Sequence, residues 1–197
     1  MSDTRPTVLI TGFGRFPGAP FNPSGPLARA LAKTRRPALA DVRLVSHVFP
    51  TSYAAVAQQW PELLARLRPD AVLMLGLAGR TPYLRIETRA RNLRTLVYPD
   101  IDGFVPARRV IERGVSARRG PAPFMRLLAA ARSTGFPARL SGDAGAYLCN
   151  DLYWRALDPA TRDDGPLVQF VHIPLRPNAR RAVEAVLVTL LSAARRR

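Results

Sequence analysis

The sequence predicts an α/β fold built on a mostly parallel sheet, and three observations lead there. Apolar runs of strand length alternate with stretches of helical period, the pattern of βα units. One run, AVLMLGLAG at residues 71–79, has hardly a polar residue, as expected of a central strand covered on both faces. Nearly half of the 197 residues are apolar, enough for one sizeable core and too few residues for two ordinary ones, so one domain is expected over residues 1–197.

In chain order, PTVLITGF (residues 6–13) reads as a first buried strand, followed by a Gly/Pro-rich loop. A helix begins with PLARALAKT at Pro26, where proline suits a first turn. DVRLVSHVFP is a second strand and TSYAAVAQQWPELLARLRP a helix that Pro61 is expected to kink or divide. After the third strand, residues 80–120 have poor periodicity and many arginines. YLRIETRARN alternates enough to be extended, and the remainder reads as a site-building loop or flap. Regularity returns with the helix PAPFMRLLAAARSTG, a short strand at ARLSG, a helix over about 146–157, the strand LVQFVHIP, and a last helix after Asn178, taken as its N-cap.

Composition narrows the function. A lone cysteine excludes an intramolecular disulfide framework and leaves a thiolate metal cluster unsupported, and a reducing cytoplasm fits. No metal or organic cofactor is expected, because a base and a helix terminus are enough to activate a thiolate. No window approaches the run of about 18 apolar residues that a spanning helix needs, so no membrane association is expected. The net charge of +16 invites a nucleic-acid reading. Yet of 30 basic residues only Lys33 is a lysine, and the arginines are scattered rather than gathered in one stripe. Surface composition accounts for them at least as well as a polyanion site does.

The chemistry gathers around Cys149. In GDAGAYLCN the thiol falls in the first turn of a helix, where unpaired amides and the helix dipole favour a thiolate and can hold an oxyanion. The alternative is a small buried hydrophobe. A thiolate nucleophile needs a histidine, and there are two. His172 stands near a strand end, where sites form in open α/β sheets; His47 is mid-strand and reads as structural. Of four glutamates, Glu62 and Glu184 fall on helices with the pattern of exposed positions. Glu87 stands among arginines beyond the third strand, either to orient an imidazole or to pair with Arg85 or Arg89.

GLAGRTPYLRIETRARN, SGDAGAYLCNDLYW and FVHIPLRP together resemble the pyroglutamyl peptidase I family, whose motifs surround a Glu, a Cys and a His in that order. VLITGFGRFPGAPFNPS, VFPTSYAAV and YPDIDGFVP are similar to further family segments, so the likeness runs from about Val8 to Pro177. The resemblance implies a three-layer α/β/α sandwich of phosphorylase/hydrolase type and a thiol peptidase with Cys149, His172 and Glu87 as its catalytic set. It further implies Phe13, Phe16 and Asn22 as substrate-binding residues, a peptide or small amide as substrate, and a homo-oligomer, often a tetramer. The chain departs from the family at Gly14, Leu77 and Thr88, where other residues are usual. Two other readings are a related thiol amidase acting on another small or acidic amide, favoured by the arginines at 80, 85, 89, 91 and 94, and a non-catalytic RNA or polyanion binder.

Overall fold

A computed structural model describes residues 5–160, 165–176 and 178–197. Pro177, the last residue of the family-like stretch, lies outside them. The elements run β1 (Thr7–Phe13), α1 (Ser24–Ala32), β2 (Arg43–Phe49), α2 (Tyr53–Leu67), β3 (Ala71–Leu77), β4 (Leu84–Glu87), β5 (Arg89–Arg91), β6 (Ala117–Arg119), α3 (Phe124–Arg132), β7 (Ala138–Ser141), α4 (Leu148–Ala160), β8 (Leu167–Ile173) and α5 (Arg180–Ala194).

Six strands form one sheet in the order β2-β1-β3-β8-β4-β7. Four of its five pairings are parallel; only β4 and β8 run antiparallel. The alternation of side chains along each strand sorts the core into two halves. Val8, Ile10, Leu73, Leu75, Leu84, Ile86 and Val171 pack under α1, α3 and α5. Leu9, Val72, Met74, Val168 and Phe170 pack under α2 and α4. Helices therefore cover both faces, and the result is an α/β/α sandwich. Each fully buried aliphatic side chain contributes about 1.5–3 kcal/mol, so the long apolar runs of β1, β3 and β8 hold the layers together.

Several elements differ from their sequence expectation. Pro61 does not divide α2, which is one helix of 15 residues. Its buried face, Val56, Trp60, Leu63 and Leu67, continues across the proline and holds both halves to the sheet. Asn178 is not the cap of the last helix. It lies in the left-handed region at φ 71°, and α5 starts at Arg180 with Ala179 as cap. Glu184 is 6% exposed and paired with Arg36, not a solvated helical glutamate. Glu62 is exposed as expected. The stretch 80–120 contributes three strands, including β6, which pairs with β5 and was not legible in its three-residue sequence. Among the described residues no helix is long and apolar enough to cross a membrane.

Candidate active site

β1, β3 and β8 are neighbours that point the same way, and the chain leaves β1 for β2 on one side and reaches β3 on the other. A crevice at the carboxyl ends of such strands is the usual place for a ligand. A cavity of about 310 Å³ lies there. Its walls are Phe13 at the end of β1 and Phe16 beyond it, Leu77 at the end of β3 and Ala78 after it, His172 of β8, Arg85 of β4, and residues 143–149, which run into the first turn of α4.

Sheet register sets the chemistry. Gly76 of β3 and Arg85 of β4 flank His172 as its direct partners on either side, and Glu87 is paired with Phe170. Side chains directly opposite one another share a face, so Arg85, Glu87, Phe170 and His172 all face α4, which carries Cys149. His172 Nδ1 lies 2.8 Å from Glu87 Oε1, and the ring also hydrogen-bonds to the Cys149 thiol, for which Nε2 remains. Cys149 is partly exposed, whereas Glu87 is fully buried and His172 is 5% exposed. Burial works to lower the His172 pKa. The hydrogen bonds to Cys149 and Glu87, with their charges, outweigh it and raise it to about 9. That arrangement can hold a thiolate beside an imidazolium and pass a proton between the ring and a reacting group.

Cys149 is the second residue of α4, in the first turn, whose amides have no partners in a preceding turn. The approach is a tight turn in which Gly145 has φ 85° and donates to Asp143 Oδ1 at 2.9 Å. The sulfur lies against Gly76, where a Cβ would stand 2.8 Å from Sγ and 2.9 Å from the Phe170 ring. A glycine inside an otherwise apolar strand signals such a close approach, and it is the cue by which the sequence could have indicated Gly76.

Glu87 meets both of its sequence alternatives at once. The oxygen facing His172 is also 3.0 Å from Arg85 Nε. The carbonyl of Glu87 accepts from Tyr153 OH at 3.1 Å and Gln169 Nε2 at 2.9 Å, which fixes its backbone. Asn150, next to the thiol and fully buried, accepts from Arg91 N at 2.8 Å and donates to the Arg91 and Leu93 carbonyls at 2.7 and 2.9 Å. Nothing in its sequence setting marked Asn150 apart from its place beside the cysteine.

Phe13, Phe16 and Asn22 all border the cavity. Phe16 is held by a two-way backbone bridge to Ala19, and its ring stands 6.0 Å from that of Tyr147. Tyr147 donates to the Pro99 carbonyl at 2.7 Å, and burial, with the charges of Asp100 and Cys149, pushes its phenol up to about 12. Asn22 is 6% exposed and largely occupied by the protein. It donates to the Gly14 carbonyl at 3.0 Å and accepts from Ser24 N and Oγ at 3.1 and 2.8 Å. Its geometry braces the loop after β1. Leu77 presents an apolar wall with no hydrogen-bonding group.

His47 is not part of this site; it bonds Gln59 at 2.9 Å and packs edge-on to Phe49. Of the five arginines in the 80–94 stretch, Arg85, Arg89, Arg91 and Arg94 bind protein groups: Glu87, the Gly142 carbonyl, Asp143 and Asp151. Among the described residues no group of three or more His, Cys, Asp or Glu side chains could hold a metal ion.

A cysteine bonded to an imidazole that a buried carboxylate holds, at the strand ends of an α/β/α sandwich, defines a thiol hydrolase. The chain belongs to the pyroglutamyl peptidase family, whose model matches residues 6–187. It is 34% identical over 170 residues to a pyrrolidone-carboxylate peptidase of Clavibacter michiganensis, covering 86% of this chain and 78% of that one. With its counterpart from Thermococcus onnurineus it shares 30% over 189 residues, or 91% and 92% of the two chains. Among solved structures, pyroglutamyl peptidase I of Bacillus amyloliquefaciens superposes with a TM-score of 0.82 at 27% identity, covering 95% of this chain and 97% of that one. The pyrrolidone carboxyl peptidase of Thermococcus litoralis gives 0.86 at 26%, covering 98% and 96%.

Proposed function

We propose that this chain is a cysteine peptidase that removes an N-terminal pyroglutamyl residue from peptides, with Cys149 as nucleophile, His172 as general acid and base, and Glu87 orienting the ring. The observation that carries the reading is the continuous line Glu87–His172–Cys149 at the mouth of a small, largely apolar cavity, in a chain of this family. An uncharged five-membered lactam fits a slot walled by Phe13, Phe16 and Leu77, and the cavity lies at the small end of ligand pockets.

In the first half-reaction Cys149 Sγ attacks the carbonyl carbon that follows the ring. A C–S bond forms, and the oxygen takes the negative charge against the amides of the first turn of α4. His172 gives its proton to the amine nitrogen, the C–N bond breaks, and the shortened peptide leaves a thioacyl enzyme. Water then attacks the thioester while His172 takes a proton from it. The C–S bond breaks, pyroglutamate is released, and the thiolate and imidazolium return. Phe13 and Phe16 hold the ring, and Asn22 keeps the loop that carries Phe16 in place.

The same reading makes the chain one α/β domain that works in the reducing cytoplasm, for which its single cysteine is suited. It also makes the protein a homo-oligomer, a reading supported by the exposed apolar side chains Val97, Tyr98, Ile101 and Phe104 in one segment.

The test is hydrolysis of a pyroglutamyl reporter amide by purified protein, with and without iodoacetamide, which has one cysteine to alkylate. Turnover that alkylation abolishes is expected. Turnover that survives complete alkylation, or no turnover of any pyroglutamyl amide, overturns the reading.

A further inference from the structure

Arginines of β4 and β5 hold the segment ahead of Cys149. Arg85 Nη2 donates to Ser141 Oγ at 2.7 Å and to the Asp143 carbonyl. Arg89 Nε donates to the Gly142 carbonyl at 2.8 Å, and Arg91 Nη1 pairs with Asp143 Oδ2 at 2.9 Å. Only Arg85 also reaches the other half of the site, because its Nε lies 3.0 Å from the Glu87 oxygen that faces His172. Register makes this possible: Arg85 is directly opposite His172 across the antiparallel pair, and Glu87, two residues on, shares its face. The side chain is 22% exposed and borders the cavity. A planar fork with donors in fixed directions can bridge two such anchors; a lysine ammonium, a single point charge, cannot reproduce both.

We propose that Arg85 is a positioning residue of the hydrolytic reaction, tying the Glu87–His172 pair and the segment that carries Cys149 into one rigid unit. This inference rests on the roles given above to Cys149, His172 and Glu87. Two effects follow. Arg85 shares the Glu87 oxygen with His172, so removing it leaves the carboxylate charge to the imidazolium alone, which then keeps its proton to higher pH. The Ser141–Asp143 corner also loses one side-chain tie, while the β4–β7 ladder to Ser141 and the bonds from Arg89 and Arg91 remain, so the sulfur is held less closely against the imidazole, a loss felt in turnover rather than in substrate binding. The charged and titratable groups around His172 are Cys149 from α4, Glu87 and Arg85 from β4, and Asp143 and Tyr147 on the cavity wall. Tyr153 of α4 donates its hydroxyl to the Glu87 carbonyl, and the β3 neighbour is Gly76. Loss of the Arg85 cation acts in one direction on this set, toward a more basic His172.

The test compares wild type, Arg85→Met, Arg85→Lys and Ser141→Ala in two assays over a range of pH: hydrolysis of a pyroglutamyl reporter amide, and the rate of alkylation of Cys149 by iodoacetamide. Absence of hydrolysis in the wild type counts against the parent reading, whereas alkylation reports the sulfur–imidazole pair without substrate and so tests Arg85 separately. For Arg85→Met, kcat falls about 10- to 100-fold with KM changed by less than about threefold. Its alkaline limb in hydrolysis moves up by roughly one pH unit, and so does the pH at which alkylation passes from the thiolate–imidazolium pair to the lone thiolate. Arg85→Lys returns the limb to the wild-type position while kcat stays about tenfold down, because the charge is restored and the fork is not. Ser141→Ala lowers kcat less and leaves the limb in place. Wild-type kcat with an unmoved limb in Arg85→Met overturns the proposal, and so does full rescue of kcat by lysine. If Arg85→Met fails to fold, wild-type kcat in both Arg85→Lys and Ser141→Ala overturns it.

Discussion

Glu87→Gln removes one negative charge from the centre of the site and keeps the shape of the side chain. In the wild type burial opposes protonation of His172, yet its bonds to Cys149 and Glu87 raise its pKa from 6.5 to about 9. An opposite charge in direct contact shifts a buried group by roughly one to three units, each worth about 1.4 kcal/mol. With glutamine in place the Nδ1 bond survives but the charge does not, so the alkaline limb of kcat/KM falls by roughly one to two pH units. Turnover at neutral pH drops with it, because less of the enzyme holds the imidazolium that protonates the leaving amine. Stability changes in the same sense. A raised histidine pKa contributes stability that is fully present below pH 6.5 and is lost as pH rises through about 9. Wild-type Tm therefore declines across that window, and the Gln variant shows a flatter profile. The assay is kcat/KM for a pyroglutamyl reporter across pH, with thermal melts in the same buffers. An alkaline limb still near 9 in a folded Glu87→Gln protein refutes the reasoning.

Other substitutions test separate parts of the account. Cys149→Ala abolishes turnover and leaves the melting temperature within a few degrees, since the thiol is partly exposed and lies in a first helical turn; circular dichroism and a reporter assay check both. Gly76→Ala puts a methyl group against Sγ and the Phe170 ring, so it costs about 1–3 kcal/mol of stability and most of the activity, read by denaturant melts and kcat. Phe16→Ala opens one wall of the cavity while leaving the Glu87–His172 bond untouched, and raises KM about tenfold with a smaller change in kcat.

The parts of the fold legible in the sequence were those with strong periodicity. β1, β3 and β8 are long apolar runs, and their burial on both faces left little choice of structure. β5 and β6 are three residues each, too short to carry a period, and their pairing comes from the tertiary setting. The proline does not divide α2, because packing of the face from Val56 to Leu67 outweighs one missing amide donor. Glu184 misled because helical position says nothing about a partner 148 residues away, Arg36.

Within the site, Cys149, His172 and Glu87 stood out by scarcity and by motif, and the fold brings them together. Arg85 did not stand out. Its alternation with Glu87 was readable, but its place opposite His172 depends on β4 running antiparallel to β8, which no local signal encodes. The arginines at 85, 89, 91 and 94 look in sequence like a surface for acidic ligands. In the folded chain they bind carbonyls and carboxylates of the protein around the start of α4.

The most direct measurement is to treat the protein with a pyroglutamyl chloromethyl ketone and locate the adduct by peptide mass spectrometry, beside the corresponding proline reagent. Stoichiometric, rapid labelling of Cys149 with matching loss of activity, and much slower labelling by the proline compound, is the predicted result. Labelling at another residue, or equal rates with the two reagents, contradicts a pyroglutamyl site built on this thiol.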